Sequence, residues 1–297
     1  MKFTVFMNLV KERVQDRLGD TAEVRVRSVL KNNAVRLWGL IITEAGKNIS
    51  PTISLESFYE AYVKGTTIDA IVEAIVDSYH NVPKELAVDM EFFKDFEKVK
   101  ERVAYRLVNL ENNKELLADV PFIPYLDLAI CFYYAFGDTQ IGEGAILIQR
   151  SHLEMWNTDE KELFSLAQEN TSKLYPFEIM RMRTVVEQLV GVQDLEILDE
   201  MEPASMYVLT NKKRIQGAAV VLYPEVLEHI ADKLGTDFYI IPSSVHEVIL
   251  MTYRADIDRN VMKDMIYDVN RTQLTPEDVL SDSLYYYNRK DKRIIKL

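Results

Sequence analysis

The last hundred residues switch repeatedly between a two-residue and a 3.6-residue hydrophobic period, and this switching restricts the fold more than any other feature of the chain. Residues 205–210 (SMYVLT) read as a strand, 211–214 (NKKR) as a turn and 217–223 (GAAVVLY) as a second strand. Residues 224–234 then read as a helix, with Pro224 at its first turn and Gly235 closing it. Phe238–Ile241 and His246–Thr252 read as strands, 256–269 as a helix and 275–278 (TPED) as a short helical turn. Leu284–Tyr287 with Arg293–Ile295 predicts a terminal hairpin. Neighbouring strands without a helical crossover pair antiparallel. The expected class is therefore α+β: antiparallel sheets built from strand-strand-helix units and covered by amphipathic helices.

The same grammar extends upstream. Residues 3–18 place Phe3, Met7, Val10, Val14 and Leu18 on one helical face, ended by Gly19. Residues 22–30 and 34–43 predict a hairpin across Asn32-Asn33, followed by turn chemistry at Gly46–Asn48 and a short strand over 50–55 with an edge proline, Pro51. Helices are expected over 56–64, over 68–79 before Pro83, and as one unit over 90–103. A strand is expected over 104–110, a turn over 111–115 and a loop between Pro121 and Pro124. Residues 127–136 and 144–149 predict a strand pair joined through Gly137, Gly142 and Gly144; Thr158 caps a helix over 159–168, and 181–190 is helical. GAILIQRSHLEMW and GAAVVLYPEVLEHI echo one another in outline. At about 150 residues per domain the chain predicts two domains. We place them at 1–200 and 201–297, with the acidic stretch 191–205 as the crossing.

Charge and composition narrow the functional classes. With 35 basic and 47 acidic residues the net charge is −12, which disfavours a phosphate backbone as partner. The bases gather at the ends: eight against four acids in residues 1–36, and Arg289, Lys290, Lys292, Arg293 and Lys296 against Asp291 at the other terminus. No stretch approaches the roughly 18 apolar residues of a membrane helix, and the first residues do not read as a secretory signal, so a cytoplasmic setting with no membrane is expected. One cysteine, Cys131, lies in the apolar run 128–136 and reads as a small buried hydrophobe.

Few side chains gather into reactive patterns. Ser243, Ser244, His246 and Glu247 share one turn, and a serine nucleophile needs a base within hydrogen-bond reach and a third group to orient it. Triads usually draw on distant parts of the chain, and no Gly-x-Ser-x-Gly elbow exists, so a turn in which the serines bond the backbone accounts for the pattern as well. His152 and Glu154, with Asp127 or His246 as a third ligand, are the best metal candidates. Only four histidines are present, and no metal is assigned. Asn211, Lys212, Lys213 and Arg214 form a basic turn suited to phosphate or carboxylate, or simply a solvated hairpin end. Tyr285 and Tyr287, one face of Tyr285-Tyr286-Tyr287, could stack bases beside the basic tail or lie in the core. No glycine-rich phosphate loop occurs, and no cofactor is expected.

Six blocks in order, KNISPTISLESFYEAYVKG, FIPYLDLAICFYY, SHLEMWNTDEKELFSLAQENT, MYVLTNKKRIQGAAVVLYP, DFYIIPSSVHEVIL and VLSDSLYYYNR, resemble an uncharacterised domain-of-unknown-function family of gut Firmicutes that is often linked with mobile elements. The resemblance covers roughly residues 40–290. A looser likeness ties the C-terminal half to a second uncharacterised family of Bacillus type. The resemblance implies the fold and a cytoplasmic origin, and transfers no catalytic residue. The leading expectation is a non-enzymatic, protein-binding accessory factor, an inhibitor or adaptor of a mobile element. The alternatives are a hydrolase using a Ser/His pair and a nucleic-acid binder using the basic termini.

Overall fold

A computed structural model describes residues 1–44, 52–81, 90–137, 144–189 and 206–297. The chain forms two compact units, one over Met1–Asp95 and one over Phe96–Phe136 with Gly144–Leu297. Every sheet is antiparallel and helices accompany each, so the class is α+β. The boundary expected at 200, the crossing 191–205, the turn 46–48, Pro51, Pro83 and Gly142 lie outside the described residues.

In the first unit α1 (Phe3–Leu18) buries Phe6, Met7, Val10 and Val14, and ends where Gly19 takes a left-handed φ of 60°. The Gln15 side chain fastens the helix to the next strand: its Nε2 donates to the Gly19 and Ala22 carbonyls, and its Oε1 accepts from Val24 N–H, each at 2.9 Å. Strands β1 (Ala22–Leu30) and β2 (Arg36–Glu44) pair from Ala22 opposite Glu44 to Leu30 opposite Arg36. The second strand starts two residues later than its hydrophobicity suggests, because Asn33 and Ala34 are spent on a left-handed turn (φ 56° and 57°). β3 (Thr52–Ser54), α2 (Glu56–Val63) and α3 (Ile68–His80) follow. Thr67 caps α3 by accepting from Ala70 N–H at 3.3 Å. Ile71, Val72, Ile75 and Val76 of α3 close the core against Phe6, Val10, Leu40 and Leu55. Each fully buried large aliphatic residue there contributes about 1.5–3 kcal/mol. α4 (Met90–Lys94) ends the unit.

Among the described residues the second unit holds two sheets. After α5 (Phe96–Val99) come β4 (Val103–Asn109), α6 (Lys114–Asp119), β5 (Phe122–Tyr125), β6 (Leu128–Phe136) and β7 (Gly144–Leu147). β6 is central: β4 lies along one edge, and β5 and β7 share the other. It is buried from Leu128 to Ala135, which explains its unbroken apolar sequence. α7 (Arg150–Trp156) leads to α8 (Glu160–Leu174), which packs on β4. There Thr171 Oγ1 accepts from Tyr105 N–H at 3.1 Å, and Asn170 Nδ2 donates to the Lys100 and Val103 carbonyls. Asp159, rather than Thr158, is the cap of α8, accepting from the Lys161 and Glu162 amides at 2.9 Å.

β8 (Phe177–Arg181), α9 (Met182–Leu189), β9 (Met206–Asn211), α10 (Val226–Leu234), β10 (Phe238–Ile241), β11 (Val248–Thr252), α11 (Arg259–Thr272), β12 (Tyr285–Asn288) and β13 (Arg293–Lys296) complete the unit. Their sheet runs β13-β12-β10-β11-β9-β8. Met262 and Ile266 of α11 cover Tyr239 and Ile241 on one of its faces. The terminal hairpin forms as expected, with Tyr286 opposite Ile295.

Five readings need correction. Gly217–Leu222 is a buried 3-10 helix, not a strand, so β9 pairs with β11 and β8 instead of its sequence neighbour. The cause is steric. Gly217 lies against the Thr210 side chain, the His246 carbonyl and the Asn211 amide, and only small residues permit that approach. The proposed echo therefore matches a strand to a 3-10 helix. The helix expected over 90–103 breaks at Asp95 into α4, α5 and a 3-10 turn over Lys100–Arg102. The turn at 111–115 runs on into α6, and the loop between Pro121 and Pro124 is β5. Gly217→Ala is expected to lower stability by about 1–3 kcal/mol through overpacking, read from urea midpoints; an unchanged midpoint would show that this contact is not tight.

Candidate functional site

The segment Pro242–Glu247 joins β10 to β11. Ser244 is 5% exposed, and its Oγ accepts from His246 N–H at 3.0 Å, while its own N–H donates to the Glu247 carbonyl at 3.1 Å. The His246 ring is held from both sides. Nδ1 accepts from Gln216 N–H at 3.3 Å, so the proton of the neutral ring sits on Nε2, which lies 3.3 Å from Asp278 Oδ1. Asp278 Oδ2 accepts from Thr275 Oγ1 at 2.8 Å. The sequence places Ser244, His246 and Glu247 together; the structure puts Asp278, not Glu247, against the ring. Neither ring nitrogen bonds Ser243 or Ser244. A base that activates serine needs a ring nitrogen facing that hydroxyl, whereas here the imidazole bridges the turns at 216 and 275–278. Asp278 was visible only as part of a TPED turn, since its contact with the ring is tertiary.

The metal candidates are separated by other duties. His152 caps α7, its Nδ1 accepting from Gln149 N–H at 3.1 Å, and its ring lies 5.6 Å from that of Trp156; burial holds its pKa down. Glu154 is exposed on the same helix. Among the described residues no group of three or more His, Cys, Asp or Glu side chains converges as metal ligands do. Cys131 is fully buried in β6, and burial, outweighing the nearby Arg106 charge, pushes its thiol up to about 12.

The basic turn sits beside a strand that sequence reasoning missed. Asn211 is 2% exposed and shapes the turn from inside: its Nδ2 donates to the Ile215 carbonyl at 2.8 Å, and its Oδ1 accepts from Lys213 N–H at 3.1 Å. Lys212, Lys213 and Arg214 are exposed. Lys212 N–H donates to the Pro176 carbonyl at 2.9 Å, which continues the β8–β9 pairing. Lys213 Nζ lies 5.1 Å over the Tyr175 ring, and Arg214 Nε lies 3.8 Å from Glu178. Phe177, Ile179 and Ile215 are 40%, 36% and 45% exposed beside these bases. Among the described residues β8 is one of the two outer strands of its sheet, with β13 at the other end, so it carries an unpaired backbone edge.

The tyrosines point inward. Tyr285 and Tyr287 are each 4% exposed; Tyr287 stacks on Phe238 with ring centres 5.0 Å apart. Only a margin of Tyr287 reaches a groove of about 330 Å³, shared with Tyr125, Glu225, Glu228, Lys292 and Arg293, in which Lys292 pairs with Glu228. Tyr285 donates to Asp127 Oδ1 at 2.7 Å, while Asp127 Oδ2 accepts from Ser281 (2.8 Å) and Ser283 (2.7 Å) and lies 3.3 Å from Lys296 Nζ. Burial alone would raise the Asp127 pKa; the Tyr285, Ser283 and Ser281 hydroxyls and the Lys296 charge together hold it below the ordinary value. A carboxyl depressed in the folded state adds stability above its unfolded pKa of about 3.9 and loses it as pH falls through the lower folded value. Asp127→Asn is therefore expected to be less stable than wild type at neutral pH, with the gap narrowing below about pH 4, read from urea midpoints across pH. A gap independent of pH would remove the charge from this account.

No curated protein and no solved structure matches the chain. A family model does, over residues 3–289, which include β8, the basic turn, the His246 turn and Asp127. By that match the chain belongs to a family of unknown function, DUF5688.

Proposed function

We propose that the chain is a non-enzymatic, protein-binding accessory factor whose binding face is β8 with the neighbouring basic turn. The observation that carries this reading is the edge of β8, open among the described residues, where Phe177 and Ile179 are exposed beside Lys212, Lys213 and Arg214. An unpaired, partly apolar strand edge is a template on which a partner's strand can pair. The side chains with the most reactive chemistry, His246, Ser244 and Cys131, are instead engaged or buried within the second unit. No described helix is long and apolar enough to cross a membrane. On the resemblance described above, the proposed setting is the cytoplasm of a Firmicute and the locus of a mobile element, with an inhibitor or adaptor role.

Affinity capture from host lysate tests the reading, with wild type compared against a Phe177→Ser, Ile179→Ser double variant. A partner retained by wild type and released by the variant is the expected outcome. A partner indifferent to both substitutions, or no reproducible partner, would overturn it, as would ester hydrolysis abolished by His246→Ala.

A further inference from the structure

We infer that β8 takes up an extended, acidic segment of a partner protein by strand addition, with apolar side chains of that segment on one face and carboxylates on the other. The inference rests on the protein-binding reading and names the chemistry of its partner.

The register fixes which groups are available. Pro176 is opposite Lys212 and accepts its N–H, so the hydrogen-bonded pairs that follow are Glu178 with Thr210 and Met180 with Val208. The N–H and C=O groups of Phe177 and Ile179 then point away from β9, toward the open edge. Their side chains share one face of the strand, while Glu178 and Met180 share the other. Exposure follows the same alternation: Phe177, Ile179 and Arg181 are exposed, and Glu178 and Met180 are half-buried. A strand laid along this edge finds backbone partners at alternate residues and an apolar strip at Phe177 and Ile179 on one face.

Charge selects the other face. Arg214 lies over Glu178 and Met180, with Nη2 3.5 Å from Met180 Sδ and Nε 3.8 Å from Glu178. Lys212 is exposed next to Pro176 and makes no ion pair among the described residues. Among the described residues of the strand Glu178 is the opposing acid, and Arg214 already sits against it. Lys212, Lys213 and Arg214 thus outnumber it locally, within a chain whose net charge is −12, while Arg181 lies on the Phe177 face. An incoming strand with carboxylates on that face gains these cations. A second copy of β8 would instead bring the same bases against their own kind, which argues for a different, acidic partner.

A fluorescently labelled peptide of alternating valine and glutamate tests this by anisotropy on the full chain. Binding is expected, weakening with salt. Ile179→Pro removes one outward N–H and none of the bonds to β9, a change an edge strand tolerates. It is expected to weaken binding roughly tenfold, as is Lys212→Glu at the exposed cation. Unchanged circular dichroism keeps either result interpretable, and if Ile179→Pro does not fold, N-methylation of alternate peptide residues removes the same hydrogen bonds from the other side. A valine–lysine peptide that binds equally well would overturn the acidic assignment. An N-methylated peptide that binds like the parent would overturn strand addition, and so would a wild-type dimer that Ile179→Pro dissociates, since the edge then belongs to a second copy. A valine–glutamate peptide that fails to bind, while the Phe177→Ser, Ile179→Ser variant still releases a lysate partner, overturns this inference and leaves the protein-binding reading intact.

Discussion

A carboxylate withdrawn from water has to find donors for its oxygens, and Asp127 meets that requirement with residues far along the chain. Its side chain is 22% exposed, and it accepts from Ser281, Ser283 and Tyr285, between 154 and 158 positions away, with Lys296 beside them. The tight connection between β5 and β6 thereby fixes the path of the segment entering β12. Asn109, donating to the Leu280 carbonyl at 3.2 Å, holds the same segment one step earlier. Once β12 is placed, Phe238 falls opposite Tyr287, and the pairings to β11, β9 and β8 follow in order. The outermost strand inherits its position from a polar lock in the second unit.

Much of this was legible where local chemistry decides. Gly19 and Gly235 end helices at left-handed positions, Thr67 caps α3, the alternating strand 22–30 stands where its period places it, and the apolar run 238–241 forms a strand ahead of Pro242. What failed depended on contacts between elements. GAAVVLY has the hydrophobicity of a strand, yet it forms a buried 3-10 helix in which Gly217 packs against Thr210 and the His246 carbonyl, contacts that residue type does not announce. β8 was missed for a different reason. It passes from Arg181 directly into α9 at Met182, with no glycine, proline or asparagine between, so no turn residue separated the two periods.

The candidate site shows the same division. Sequence proximity gathered Ser244, His246 and Glu247, yet the carboxylate that meets the ring is Asp278, 32 positions away. The basic turn was visible as charge, but its significance comes from β8, which only the sheet order places beside it. Reactive groups that looked like a site hold turns, caps and sheets together. Among the described residues β8 leaves an open edge whose chemistry is mostly backbone, and backbone leaves no signature in residue type.

Amide hydrogen exchange on the free chain reads the open edge of β8 residue by residue. Slow exchange is expected at Glu178 and Met180, whose amides bond β9, and fast exchange at Phe177 and Ile179, whose amides face outward. Protection of Phe177 and Ile179 equal to that of Glu178 and Met180 would show the edge already paired in the free protein, and would contradict the account.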